Sequence, residues 1–231
     1  MASSRQGAEK KPATLRRPRK KAPDRTAPDA ADATATGRGS ARERILQAAL
    51  ECFAEFGFAG TVTRMIAQRA NVTHPLVLYH FDTKDKLWVE AVSGALDAYL
   101  EFVRNEIPDD PAIPAKQSLS KFIEYLVRFI AKAPEIHRIM SMESRDSPRI
   151  HWLVDGYLRE YFTKIRDLIK RGQLEGNVRD GDPSRIFYQI IGSTTIFTIP
   201  IEYELLTGRN VFSDSEIYYT IALIFDFIFV N

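Results

Sequence analysis

No stretch constrains this chain more than Asn71 to Phe81, which reads Asn-Val-Thr-His-Pro-Leu-Val-Leu-Tyr-His-Phe. Thr73 can cap a helix, its hydroxyl placed to accept the backbone N–H of Leu76 three residues on. Pro75 falls in the first turn, where a missing N–H costs nothing and a fixed φ favours the helix. Thr83 can cap the next helix, so the segment has room for little more than one turn. A helix that short does not hold together alone in water and must be pinned by neighbours. Val72, Val77 and Phe81 are the residues to face inward. Thr73, His74, Leu76, Tyr79 and His80 then face out. A rigidly held helix with hydrogen-bonding and aromatic tips suits insertion into the major groove of DNA.

The preceding residues supply the other half of such a unit. Thr63 to Ala70 begins with a capping threonine and carries an inward stripe of Ile66, Ala67 and Ala70. Asn71 sits at the turn, where a residue tolerant of positive φ is wanted. Helix, tight turn and second helix make a helix-turn-helix. From about Ala41 to Leu87 the chain resembles the DNA-binding domain of the TetR family of transcriptional regulators. The resemblance is carried by Ile45, Ala48, Ala49, Phe53, Gly57, Gly60, Thr61, Thr63, Ile66, Ala67, Ala70, Val72, Tyr79, His80, Phe81, Lys84 and Leu87. Leu78 stands where the family often has an aromatic residue, and Asn71 replaces the usual glycine.

That resemblance implies roles. Arg64 would reach a base edge, a guanine in bidentate fashion, while His74, Pro75, Leu76 and Tyr79 line the groove. Thr63, Thr73, His80 and Lys84 would hold phosphates, Lys84 close to a helix N-terminus that itself favours anions. The rival reading of His80 is a packing hydrogen bond, and that of Arg64 a solvated surface arginine.

Charge is unevenly distributed. Residues 1–39 hold ten Lys/Arg against four Asp/Glu, a balance of +6, so the other 22 basic and 26 acidic residues give −4 and the whole +2. This tail is rich in Ala, Pro and charge, and nothing in it offsets the entropy of ordering, so disorder is expected. Its Arg16-Arg17-Pro18-Arg19-Lys20-Lys21 run could follow phosphates, though a solvated tail is the plainer reading. At 45% hydrophobic and 27% charged residues, the chain as a whole suits a soluble globular protein. The single cysteine, Cys52, excludes an internal disulfide, suits a reducing cytoplasm and reads as a buried, inert thiol. The charged N-terminus is unlike a signal peptide, and the apolar run from Ile221 to Val230 is about half of a membrane span.

The remaining segments read as helices. Ser40 with Glu43 forms a capping box, followed by Ile45, Leu46, Ala49, Leu50, Phe53 and Phe56 at helical spacing and a stop at Gly57. Thr83 caps a helix to about Glu106. Further helices span Ser118 to Ala133, Glu135 to Glu143, Pro148 to about Arg171, Asp182 to Thr207 and Ser213 to Val230. The last two are apolar almost all round, including Ile224 and Phe227, and a helix of that kind must be covered on every side. A second copy of the chain is the expected cover.

No Gly-rich phosphate loop, paired cysteines or HExxH is present, so no catalytic centre or cofactor is expected. His137, Glu143 and His151 do not have the spacing of a single-helix metal site. Among the C-terminal helices Phe122, Tyr125, Phe129, Met140, Trp152, Tyr157, Thr194 and Phe197 are the candidate lining of an effector pocket, with Thr194, Thr195 and Thr198 as buried polar groups. Trp152 is expected at the pocket and Trp88 nearer the DNA-binding helices, so that fluorescence would separate them.

The expected architecture is all-α, with an N-terminal three-helix helix-turn-helix DNA-binding domain at residues 40–87 and a C-terminal ligand-binding and dimerisation domain at 88–231. The expected function is that of a homodimeric repressor released from double-stranded operator DNA by a small, largely apolar molecule. Two alternatives are a helical small-molecule-binding protein or enzyme whose N-terminal helices are structural only, and a nucleoid protein binding through the tail.

Overall fold

The computed structural model describes residues 40–107, 110–144 and 146–230; the basic tail at 1–39 lies outside them. The described residues form helices without a named strand, apart from one isolated antiparallel bridge between Val178 and Phe229. Helix α1 (Ala41–Gly60) starts in the expected capping box, with Ser40 Oγ accepting from the Glu43 N–H and the Glu43 carboxylate accepting from the Ser40 N–H. Gly57 kinks it at φ 67° and ψ 175°, a backbone that a side chain rarely adopts. Thr61 then ties the corner down by donating to the carbonyls of Cys52 and Gly57. Helices α2 (Thr63–Arg69) and α3 (His74–Phe81) follow, and Asn71 takes φ 53° in the turn between them.

Helix α4 (Lys84–Glu106) is capped by Thr83 as expected and leads into the C-terminal helices. These are α5 (Ala115–Lys132), α6 (Pro134–Met142), α7 (Pro148–Leu153), α8 (Arg159–Leu174), α9 (Pro183–Ser193), α10 (Pro200–Thr207) and α11 (Asp214–Ile228). α1 packs on α4 and α6, and α6 reaches on to α5 and to the turn after α9. The N-terminal helices are therefore seated on the C-terminal ones without a linker, and one buried core runs from Ile45 to Ile228.

Two expected helices are interrupted. Between α7 and α8 the backbone forms a π turn, Val154–Leu158, with Gly156 in it. Such a turn adds a residue without ending the helix, so the apolar spacing on either side survives. The helix expected from Asp182 to Thr207 breaks after Ser193. There the Ser193 and Thr194 hydroxyls donate back to the carbonyls of Gln189 and Ile191, competing with the helical ladder. A 3₁₀ turn (Thr195–Thr198) follows, and Pro200 starts a new helix because its missing N–H cannot continue the old one. Thr194 is buried, but Thr195 is exposed and Thr198 half-buried, so one threonine of the expected three is in the core.

The last helix is also not uniform. Ile224 and Ile228 are buried in this chain's own core, whereas Tyr218, Tyr219 and Leu223 are 61–65% exposed. Tyr188 on α9 and Ile201, Leu205 and Leu206 on α10 are exposed too. The surface left uncovered is thus one side of α9 and α11 together with α10.

Candidate functional site

The α2–α3 corner is built from caps and core contacts that leave a defined set of side chains outside. Val77 and Phe81 are buried and Val72 half-buried, which anchors the inner face of α3. Phe81 lies under the Arg42 guanidinium at 5.3 Å, and Arg42 itself pairs with Glu90 of α4. Pro75 sits in the first turn as expected. Thr63 and Thr73, read as caps, do not act as such. Thr63 is the first residue of α2 behind Val62, and no side-chain bond caps either helix. Instead Thr63 Oγ1 meets His74 Nε2 at 2.9 Å, joining the N-termini of the two helices.

Around that bond, Arg64, Thr73, Pro75, Leu78 and Tyr79 are exposed, and His74, Leu76 and His80 are half-buried. Arg64 has no ion pair among the described residues, while Arg69 is taken by Glu55 and Lys86 by Asp82. Leu78, omitted from the outward set, is exposed; it follows His74 by one helical turn, which was the available signal. Tyr79 and His80 stack edge to face at 5.3 Å. Lys84 points inward. Its Nζ donates to the carbonyls of Phe58 and Thr61 at 2.9 and 3.0 Å and lies 4.3 Å from the Phe58 ring.

Arg149 of α7 also packs on Phe58, its guanidinium carbon 3.6 Å from the ring centroid. The Arg149 Nε donates to Glu143, whose carboxylate also accepts from the Ser147 hydroxyl. Glu143 is therefore already engaged and not a free ligand beside His137 and His151. Arg149 joins the C-terminal helices to the corner that precedes α2.

The candidate pocket residues fall into two groups. Tyr125 and Phe129 surround Tyr99, with ring centroids 5.6 and 4.6 Å away, and Phe122 lies 5.7 Å from Tyr161. Trp152 lies 5.0 Å from Tyr157. Phe197, by contrast, stacks on Phe212, Thr194 spends its hydroxyl on the Ile191 carbonyl, and Met140 is on α6. Tyr99, central to the aromatic group, was not among the candidates, although the 3.6-residue spacing of its helix places it inward. Trp88 and Trp152 are in contact, centroids 5.6 Å apart, so their fluorescence cannot be separated as expected.

The model of the family described as "Bacterial regulatory proteins, tetR family" matches residues 45–91, which span the kinked end of α1, the α2–α3 corner and the start of α4. The chain is 27% identical over 172 residues to the HTH-type transcriptional regulator RutR of Escherichia coli (strain K12), covering 74% of this chain and 80% of that protein. It is 47% identical over 76 residues to the HTH-type transcriptional repressor Rv3405c of Mycobacterium tuberculosis, 32% of this chain and 40% of that one. Among solved structures, the ketosteroid transcriptional regulator KstR2 of Mycobacterium tuberculosis shares the fold, with TM-score 0.67 and 21% identity over 84% of this chain and 97% of that chain. These relatives are named as regulators and not as enzymes. Seated on a helical C-terminal part, the helix-turn-helix at residues 45–91 is the N-terminal domain type of the TetR family of bacterial regulatory proteins.

Proposed function

We propose that this DNA-binding regulator is a homodimeric repressor, released from its operator when a small, largely apolar effector enters the C-terminal helices. Residues 40–87 form the reading head and 88–231 the effector and dimerisation part. The observation that carries this reading is the α2–α3 corner. The Thr63–His74 bond holds the two helices in register, and exposed Arg64, Pro75 and Tyr79 surround it on one face. Arg64 reads a guanine, His74, Pro75, Leu76 and Tyr79 line the groove, and Thr63, Thr73 and His80 meet phosphates. The naming of a relative as a repressor supports the sign of regulation.

Dimerisation uses the exposed side of α9 and α11, which presents Tyr188, Tyr219 and Leu223 to a second copy. The two heads then face successive major grooves about 34–36 Å apart. The effector acts as a population shift. It binds better to a dimer geometry in which the heads no longer match that spacing. The path from pocket to head runs through α6, which packs on α1, and through Arg149 on Phe58. Selection of bound DNA from a random library tests the reading. A palindrome of two half-sites is expected, and Arg64→Ala should weaken binding by about 1–3 kcal/mol and relax preference at one base per half-site. Binding without sequence preference would refute it.

A further inference from the structure

Where α4 faces α7, the π turn and α8, buried hydrogen-bond donors are left without acceptors. Trp88 and Trp152 lie edge to face, and neither indole Nε1–H has a partner. An edge-to-face pair can aim at most one N–H at the other ring, so at least one donor is left over. Further along the same two helices, the buried hydroxyls of Tyr99 and Tyr161 meet at 2.8 Å. Two phenols carry two O–H protons, and their mutual bond uses one. Desolvation by burial raises both phenol pKa values, which keeps both groups protonated. At the tyrosine end of the seam Leu100, Val103, Gly156, Tyr157 and Tyr161 border a void of about 30 Å³, with Arg104, Glu160 and Lys164 at its rim. That is room for a water and no more.

We propose that this seam is the effector cleft, closed in the absence of ligand, and that the effector is a neutral, flat, largely apolar molecule bearing a carbonyl-type oxygen. The proposal rests on the effector-responsive reading above and specifies its ligand. A buried donor without an acceptor is costly, and a ligand oxygen removes that cost. A cationic ligand would bring more donors to a seam where Glu143 is already engaged by Arg149 and Ser147 and where Glu160 at the rim shares the void with Arg104 and Lys164. An anion would have to shed its hydration among aromatic rings. A neutral acceptor avoids both penalties. The rings of Tyr99, Tyr125 and Phe129 supply stacking faces, and half-buried Phe102, Tyr125 and Phe129 are the part of the wall that can turn outward. The π turn at the level of the void is where the helix most readily yields, since Gly156 has nothing within 4 Å of where a Cβ would stand.

The test pairs 9-fluorenone with fluorene, two flat molecules of nearly one shape that differ by a carbonyl, and adds the cation of 9-aminoacridine. Binding to the full chain is read by calorimetry. Fluorenone should bind about tenfold more tightly than either of the others. Tyr99→Phe and Tyr161→Phe each leave one phenol, so most of the preference should remain. The double variant should lose it, and Trp152→Phe should reduce it, with melting curves confirming that each variant folds. The proposal is overturned if fluorenone fails to bind, if fluorene or 9-aminoacridine binds as well, or if the preference survives in both the double variant and Trp152→Phe. DNA binding is measured on the same samples. Fluorenone preference without any effect on DNA retains the cleft and removes the release mechanism, whereas DNA release by another compound without fluorenone preference does the reverse.

Discussion

Lys84 holds two carbonyls at once, those of Phe58 and Thr61, and covers the Phe58 ring. Replacing it by methionine keeps the stem but leaves two acceptors short of a donor, which should cost about 1–3 kcal/mol in urea unfolding. If the ammonium also touched a phosphate, the slope of affinity against salt would fall by about one. A lower melting point with an unchanged slope would make it a strap only. His137 offers a second single-residue measurement. Burial lowers its pKa, so the folded chain refuses a proton that the unfolded chain accepts. Stability should therefore be full at pH values above about 6.5, the ordinary histidine value, and decline as pH falls below it. His137→Gln should flatten that decline in melting curves recorded between pH 5 and 8; an unchanged profile would assign it to other groups.

At the scale of the helices, the exposed side of α9 and α11 is the proposed dimer interface. Tyr219→Glu with Leu223→Glu should weaken dimerisation by about 2–4 kcal/mol or more while leaving the fold intact, giving soluble monomer in sedimentation velocity. Ile224→Glu should instead unfold the chain, because Ile224 is 1% exposed within its own core. Dimers persisting in the first variant would place the interface elsewhere. The sequence revealed that these helices are apolar all round but not which side faces home. That depends on where α5, α8 and α9 stand, which no local pattern encodes. Local chemistry was more readable. The Ser40–Glu43 box, the break in helical backbone at Gly57, Asn71 in the turn and the Thr83 cap each follow from neighbours a few residues apart, although Gly57 kinks the helix where a stop was expected. The π turn at Val154–Leu158 was invisible because one extra residue barely disturbs the apolar spacing. The break after Ser193 was legible in principle from Ser193, Thr194 and Pro200 but was masked by the apolar residues around them. The Thr63–His74 bond joins residues eleven apart, and their types suggested separate contacts to DNA rather than one to each other.

In the molecule as a whole, the α2–α3 corner is not hung on a tether. α1 rests on α4 and α6, and Arg149 grips the Phe58 ring from the C-terminal side at 3.6 Å. In the proposed dimer each α3 is then presented at one distance and one rotational phase from its twin. Every base pair inserted between half-sites turns the second about 34–36° around the duplex axis and moves it about 3.4 Å along. A rigid pair of heads cannot follow such a shift, whereas a loosened pair can. Arg149→Ala should therefore broaden the set of half-site separations bound, measured by gel shift on operators with one or two base pairs added or removed, while lowering affinity for the best one. An equally narrow set in the variant would show that α6 and α4 suffice. The grip on Phe58 would otherwise make a residue remote from the bases a determinant of operator grammar. Substitutions there could change which sites along a chromosome the regulator tolerates, with every base-reading side chain left as it was.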